Sequence, residues 1–217
     1  MKRKYKITLT AISVIIIALI VIGPIMSNVE QPEYEVIHKY DHIEVRSYKP
    51  MIVAETAVTG VREDAISEGF KQLADYIFGN NIAADKIEMT APVMQQAGQN
   101  IPMTAPVMQH NKDGAWHIHF VMPSEYKLSE LPKPKNPNVT LKEIDKRDFI
   151  VITFSGSNSE DNINHYEQEI RAFMKEQKLS PQSEPIYAFY NPPWTLPPLR
   201  RNEIMFEVKV KEVGENI

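Results

Sequence analysis

REDAISEGFKQLADYIF, residues 62–78, sets Ile66, Phe70, Leu73 and Ile77 at i, i+4, i+7 and i+11, an apolar stripe at the helical period. Glu63 and Asp64 fall in the first turn, where the helix dipole favours negative charge, and Gly79-Asn80 supplies a stop. Upstream, Ile43 to Tyr48 alternates apolar and polar residues, and Met51 to Thr59 is rich in β-branched residues. That pattern predicts two strands, or one bent strand turning at Lys49-Pro50. Downstream, His117 to Met122 reads as a strand ended by Pro123.

The same order then returns. Residues 131–137 hold three prolines and mark a connection. Val139 to Phe154 reads as extended chain, broken by the charged Asp145-Lys146-Arg147-Asp148 turn. Residues 162–177 are helical, with Ile163, Tyr166, Ile170 and Phe173 on one face, and strands follow at Ile186 to Tyr190 and Glu203 to Val210. Strand, helix, strand, strand therefore occurs twice, in halves of about 34–123 and 138–213. The expected fold is α+β: a twisted sheet or distorted barrel, with two helices packed outside two pseudo-symmetric βαββ halves.

The 217 residues are 43% hydrophobic and 24% charged, a composition that excludes a disordered or collagen-like chain. Net charge is −4 overall, but four basic residues precede Ile7, so residues 27–217 carry 20 basic against 28 acidic side chains. Such an acidic body argues against nucleic-acid binding, which depends on Lys and Arg at phosphates. The absence of Cys removes thiol catalysis, thiolate metal sites and disulfides. Residues 7–26 form an uncharged apolar run behind a basic end at residues 1–6. Twenty helical residues match a hydrocarbon core of about 30 Å. Ile25-Met26-Ser27 makes a poor cleavage site, so the run reads as an uncleaved signal anchor. The basic end would stay cytoplasmic, with residues 27–33 as a tether and residues 34–213 as an exported domain.

Met89 to Gln95 recurs identically as Met103 to Gln109, which reads as two edges of a hairpin turning at Gly98-Gln99-Asn100. Its four methionines could ligate a soft metal such as Cu(I) or haem iron, but packing filler is the preferred reading. His117 and His119 lie two apart on a strand and share a face, but no third ligand follows at a typical spacing, so no metal site is expected. Glu63/Asp64 and Glu160/Asp161 open helices, where acidic residues have a capping role. There is no Gly-rich phosphate loop, no G-x-S-x-G and no H-E-x-x-H, and no catalytic residue is nominated.

Several segments in combination are more specific. Lys86-Ile-Glu-Met-Thr-Ala-Pro-Val93 after an amphipathic helix, Tyr187 with Tyr190-Asn-Pro-Pro193, and Arg200-Arg-Asn-Glu-Ile204 resemble the SOUL haem-binding protein family. The resemblance extends over roughly Tyr34 to Val210. It implies about eight strands and two helices in two βαββ halves, similar to GyrI-like ligand-binding domains.

It also implies a haem or related tetrapyrrole ligand. Some members carry a His, proposed as an iron ligand, where this chain has Ser47, between Arg46 and Tyr48. Others hold haem in an apolar groove along the first helix. The matching positions here are Phe70, Leu73 and Ala74 for the wall, with Lys71 and Arg200 as cations for the propionates. His42, then His38, would be the opportunistic axial ligand. Ser67, Asp75 and Thr195 occupy other basic positions of the family, so binding is expected to be micromolar or weaker. The leading expectation is a membrane-anchored, non-enzymatic tetrapyrrole-binding protein. Its rivals are an interaction or envelope-structural module without the pocket, and a small GyrI-like hydrolase, which needs a buried carboxylate of raised pKa facing a pocket.

Overall fold

The computed structural model describes residues 29–83 and 98–209. In chain order these form β1 (Tyr34–Tyr40), β2 (Ile43–Tyr48), β3 (Met51–Thr59), α1 (Arg62–Ile77), β4 (Asn81–Ile82), β5 (Val107–Lys112) and β6 (Ala115–Val121). β7 (Lys133–Pro134), β8 (Thr140–Ile144), β9 (Arg147–Phe154), α2 (Glu160–Glu176), β10 (Ile186–Phe189) and β11 (Asn202–Glu207) follow. Nine strands make one antiparallel sheet in the order β1-β2-β9-β11-β10-β5-β6-β3-β8, strongly curled into a half-barrel, and β4 pairs with β7. The strands number nine in this sheet, against about eight expected.

The repeated order forms two matching units. β3-α1-β5-β6 is laid out as β5-β6-β3 and β9-α2-β10-β11 as β10-β11-β9, and they meet where β10 pairs with β5. The flanking strands are exchanged: β2 pairs with β9, and β8 pairs with β3. Of the two readings of Ile43 to Thr59, the structure has the two strands, β2 and β3, and they do not pair with each other. Pro50 has no N–H for a ladder and keeps Lys49 extended, so the chain runs on from one unit into the other instead of folding back.

Each helix covers one unit on the same side of the sheet. On α1 the buried residues are Ala65, Gly69, Leu73, Tyr76 and Ile77, while Phe70 is 38% exposed. The buried stripe is thus rotated by one position from the one read as Ile66, Phe70, Leu73 and Ile77. The reason is Gly69: a Cβ there would stand 2.6 Å from Ile118 Cδ1, so the helix approaches β6 most closely along a line that only glycine permits. Leu73, Tyr76 and Ile77 join Ala54, Ile118 and Phe120 in the core beneath α1. Under α2, Ile163, Ile170 and Met174 are buried against Val45, Ile150, Ile152, Ile204 and Phe206, with Tyr166 and Phe173 partly buried beside them. That face agrees with the expected one, with Met174 added. Glu63, Asp64, Glu160 and Asp161 stand in the first turns, where their charge favours the dipole, and neither N-cap residue, Val61 or Ser159, makes a side-chain cap hydrogen bond.

A buried ionic cluster ties β2 to β11 across β9. Arg46, 3% exposed, donates to Glu203 at 2.9 Å, to Glu44 at 2.8 Å and to the Tyr48 hydroxyl at 3.2 Å. Glu203 also receives Arg201 Nη2 at 2.7 Å and the Tyr190 hydroxyl at 2.7 Å. Burial, reinforced by the Glu203 charge, raises both the Tyr48 and Tyr190 phenols and keeps them protonated.

Two outcomes test this packing. Leu73→Ala should cost about 2 to 5 kcal/mol in urea unfolding and Phe70→Ala about 1 kcal/mol or less, whereas the uncorrected stripe, which counts both as core, would make both losses large. Glu203→Ala should cost about 3 to 5 kcal/mol, because it leaves Arg46 buried beside a lost partner. A loss under about 1 kcal/mol would show that Glu44 alone satisfies Arg46.

Candidate functional site

Strand alternation sends successive side chains to opposite faces, so the sheet face away from the helices carries its own set. Tyr48, Met51, Val53, Phe149, Ile186 and Met205 give that face an apolar wall around a cavity of 380 Å³. Met108, His110 and His119 complete one side, and Lys112, Asp145, Arg147, Glu184 and Glu207 lie around it. A second cavity of 540 Å³ adjoins through Pro32, Met51, Ile144 and Asp145 and has more charged walls, including Glu30, Glu33, Lys49 and Glu143. Both volumes fall in the roughly 300–1,000 Å³ of ordinary ligand pockets.

The polar wall follows from strand register. On the β5–β6 ladder His110 stands opposite His117 and Met108 opposite His119, while on β3 Glu55 stands opposite His119. Directly opposed residues share a face, so three imidazoles and a carboxylate are gathered there. The His110 ring stacks on His117 at 5.0 Å and meets His119 edge-on at 5.1 Å. Glu55 Oε2 lies 2.9 Å from His119 Nε2, and Glu55 Oε1 lies 3.3 Å from His117 Nδ1. Lys142 also pairs with Glu55.

The electrostatics of the cluster are one-sided. Burial alone would raise the Glu55 carboxyl, but His119 and Lys142 together hold it well below the usual carboxylate range. Burial, reinforced by His119 and His117, brings His110 down to about 4, so its imidazole is neutral near pH 7. His110 Nδ1 and His119 Nε2 are buried without a well-aligned hydrogen bond, although His119 Nε2 is close to Glu55. Buried polar atoms in this state are uncommon and mark a place where a ligand can be accepted.

The structure does not bring the nominated residues together. Leu73 is completely buried under α1 and cannot wall an open groove. Phe70 is exposed with its ring edge-on to Phe120 at 5.3 Å, Lys71 is exposed and Ala74 is half-buried. His42 lies in the β1–β2 turn of the other unit, with Nε2 2.6 Å from Glu169 and Nδ1 3.1 Å from Asp41. Its pairing with Asp41, followed by Glu169, raises its pKa despite some burial. His38 is on the edge strand β1. Arg200 is occupied by the carbonyls of Thr195 at 2.7 Å and Pro193 at 2.5 Å, which makes it a clasp for the Pro-rich loop. Ser47 alternates with Arg46 and Tyr48, which places it on the helix-covered face with Ile43 and Val45.

The reading missed His110 as the partner of His117. The signal was Asp113-Gly114, both at positive φ (53° and 80°), a two-residue hairpin turn. It sets Lys112 opposite Ala115, and counting back sets His110 opposite His117. This hairpin is the one β5 makes. The hairpin proposed between the two Met-Thr-Ala-Pro copies concerns residues 89–95, which lie outside the described residues. Gly98 packs against Gly79 at the end of α1, and the Gln99 backbone pairs with the Asn81 side chain.

No curated protein sequence matches the chain. Among solved structures it is similar to the EcmrR C-terminal domain, with 10% identity over 81% of this chain and 98% of that one and a TM-score of 0.54. It is similar to EcmrR in an EcmrR-DNA complex, with 10% identity over 77% of this chain and 57% of that one and a TM-score of 0.56. A hydrolase from Listeria innocua is similar over 80% of this chain and 94% of that one, with 12% identity and a TM-score of 0.50. At these identities the likeness is one of fold, the GyrI-like and SOUL-like half-barrel. The family described as SOUL heme-binding protein matches residues 29–207, and the chain belongs to that family.

Proposed function

We propose that the protein is a non-enzymatic carrier or sensor of haem or a related tetrapyrrole, held in the 380 Å³ cavity on the helix-free face of the half-barrel. The observation that carries this reading is an apolar cavity with two imidazoles in its wall. An apolar macrocycle needs walls such as Met51, Phe149 and Met205, and imidazole nitrogen is a ligand for haem iron. His110 fits that part, since its Nδ1 is buried without a partner, and His119 stands in the same wall. Exposed Lys112, which makes no ion pair among the described residues, offers a cation to a propionate. The groove along α1 is the weaker place, because Leu73 is withdrawn from it and only Phe70, Ala74 and Lys71 remain.

The hydrolase reading has less support. Glu55, a buried carboxylate of this face, is held ionised, whereas a carboxylic acid catalyst needs a raised pKa. Glu203 is engaged by two guanidinium groups and a phenol.

The proposal includes an anchor. Residues 7–26 would hold the domain at a membrane, with the basic end cytoplasmic and the half-barrel on the far side. These residues lie outside the described ones, among which no helix is long and apolar enough to cross a membrane.

Haemin titration followed by visible absorbance tests the ligand and its place. Wild-type protein should bind saturably, at micromolar affinity or weaker. Met51→Glu should weaken binding by about tenfold or more, equivalent to about 1.4 kcal/mol, by placing a charge against the macrocycle. Lys71→Glu and His42→Ala should leave binding unchanged. Loss in Lys71→Glu with none in Met51→Glu would move the site to α1, and no binding by the wild type would favour the interaction-module reading. For the anchor, the full-length protein should sediment with membranes and retain residues 1–26 by mass. A soluble species starting near Ser27 would contradict it.

A further inference from the structure

We propose that His110, His117 and His119 form a binding site for a divalent late first-row metal ion, zinc in the first instance, with Glu55 as its orienting carboxylate. The inference does not depend on a tetrapyrrole entering the cavity. Among the described residues, one ring nitrogen from each of the three histidines lies within 4.8 Å of the other two. Nitrogens around a tetrahedral zinc, at bonds of about 2.0–2.1 Å, stand about 3.4 Å apart. Closing that difference requires the three half-buried rings to turn towards one another.

Four features separate this cluster from a chance gathering of histidines. The residues come from adjacent paired strands, so their spacing is set by the β5–β6 ladder and its Asp113-Gly114 turn. Rigid strands position ligands better than loops. Glu55 contacts a ring nitrogen of both His117 and His119, the arrangement by which an outer carboxylate orients metal-ligating imidazoles. Lys142, itself paired with Glu55, balances the carboxylate from the neighbouring strand β8. Finally, His110 Nδ1 is buried without a hydrogen-bond partner, so the protein alone leaves this polar cluster incompletely satisfied. Imidazole donors suit zinc, copper and nickel and are poor partners for magnesium or calcium.

His110 and His119 line the cavity and His117 does not. An ion on the three would therefore sit in the cavity wall. Haem iron and a free divalent ion would draw on the same two wall imidazoles, and His117 distinguishes them.

The test uses full-length protein in detergent, stripped with chelator and titrated with zinc chloride in a calorimeter, with cobalt(II) as a spectroscopic substitute. The expected result is one ion per chain and cobalt visible bands of nitrogen-ligated, low-coordinate type. His117→Ala and His117→Asn should each weaken zinc binding by about 100-fold or more and Glu55→Gln by about 10- to 100-fold. His165→Ala, which alters a histidine on α2, should have no effect. Haemin binding should survive in both His117 variants, so failure of the metal site and failure of the tetrapyrrole reading remain distinct. Thermal unfolding of each variant identifies any that has lost its fold, and the two His117 replacements back each other up. No stoichiometric zinc, zinc affinity unchanged in both folded His117 variants, or an equal loss in His165→Ala would overturn the proposal.

Discussion

Exchange of the flanking strands governs the rest of the molecule. Because β2 lies beside β9 and β8 beside β3, each βαββ unit has its sheet extended by a strand that the chain delivers from the other side of the molecule. The β5–β10 pairing then joins the two units into one continuous sheet. Arg46 adds a second tie, since its guanidinium, carried on the exchanged strand β2, is matched to Glu203 on β11 across β9. Such a charge pair contributes little net stability while intact but is costly to break, and so it favours this register over alternatives.

The joined sheet divides its two faces between different tasks. The face under α1 and α2 is filled by Leu73, Ile118, Ile150, Ile170, Ile204 and Phe206, all completely buried. Period-two alternation sends the neighbouring residues of the same strands to the other face, where no helix packs among the described residues. There the curl of the sheet leaves a cavity bounded by Tyr48, Phe149 and Met205, with the histidine cluster in its wall. Helix packing thus builds the core, and the uncovered concave face is left to meet a ligand. Family membership and the proposed cavity site agree on a flat apolar ligand that carries a metal at its centre.

Much of this architecture was legible before the structure. The two helices, the strands about them and the duplication follow from residues such as Ile163, Ile170 and Ile118, whose spacing carries the periods of helix and strand. The orientation of α1 was not legible, because hydrophobicity marks Phe70 as core while the close approach at Gly69 turns it outward. Nor was the exchange of β2, since a two-residue link at Lys49-Pro50 looks like a local turn whether or not its strands pair. The site was the least visible part. His110 and His117 are seven residues apart, a spacing that brings residues together on a helix but not along a single strand, and this segment is two strands. They meet only through the register set by Asp113-Gly114, and Glu55 reaches His117 and His119 from about 60 residues away in sequence. The positions implied by family resemblance, Leu73 and His42, have instead become core and a surface ion pair.

The most direct test of the central claim is amide NMR of the domain during addition of haemin, whose iron(III) broadens nearby resonances. The account predicts broadening at cavity-facing residues on β3, β5, β6, β9 and β11, including Met51, His119 and Met205, with Phe70, Lys71 and Ala74 on the far side of the sheet unaffected. Broadening centred on α1, with the cavity residues unchanged, would contradict it.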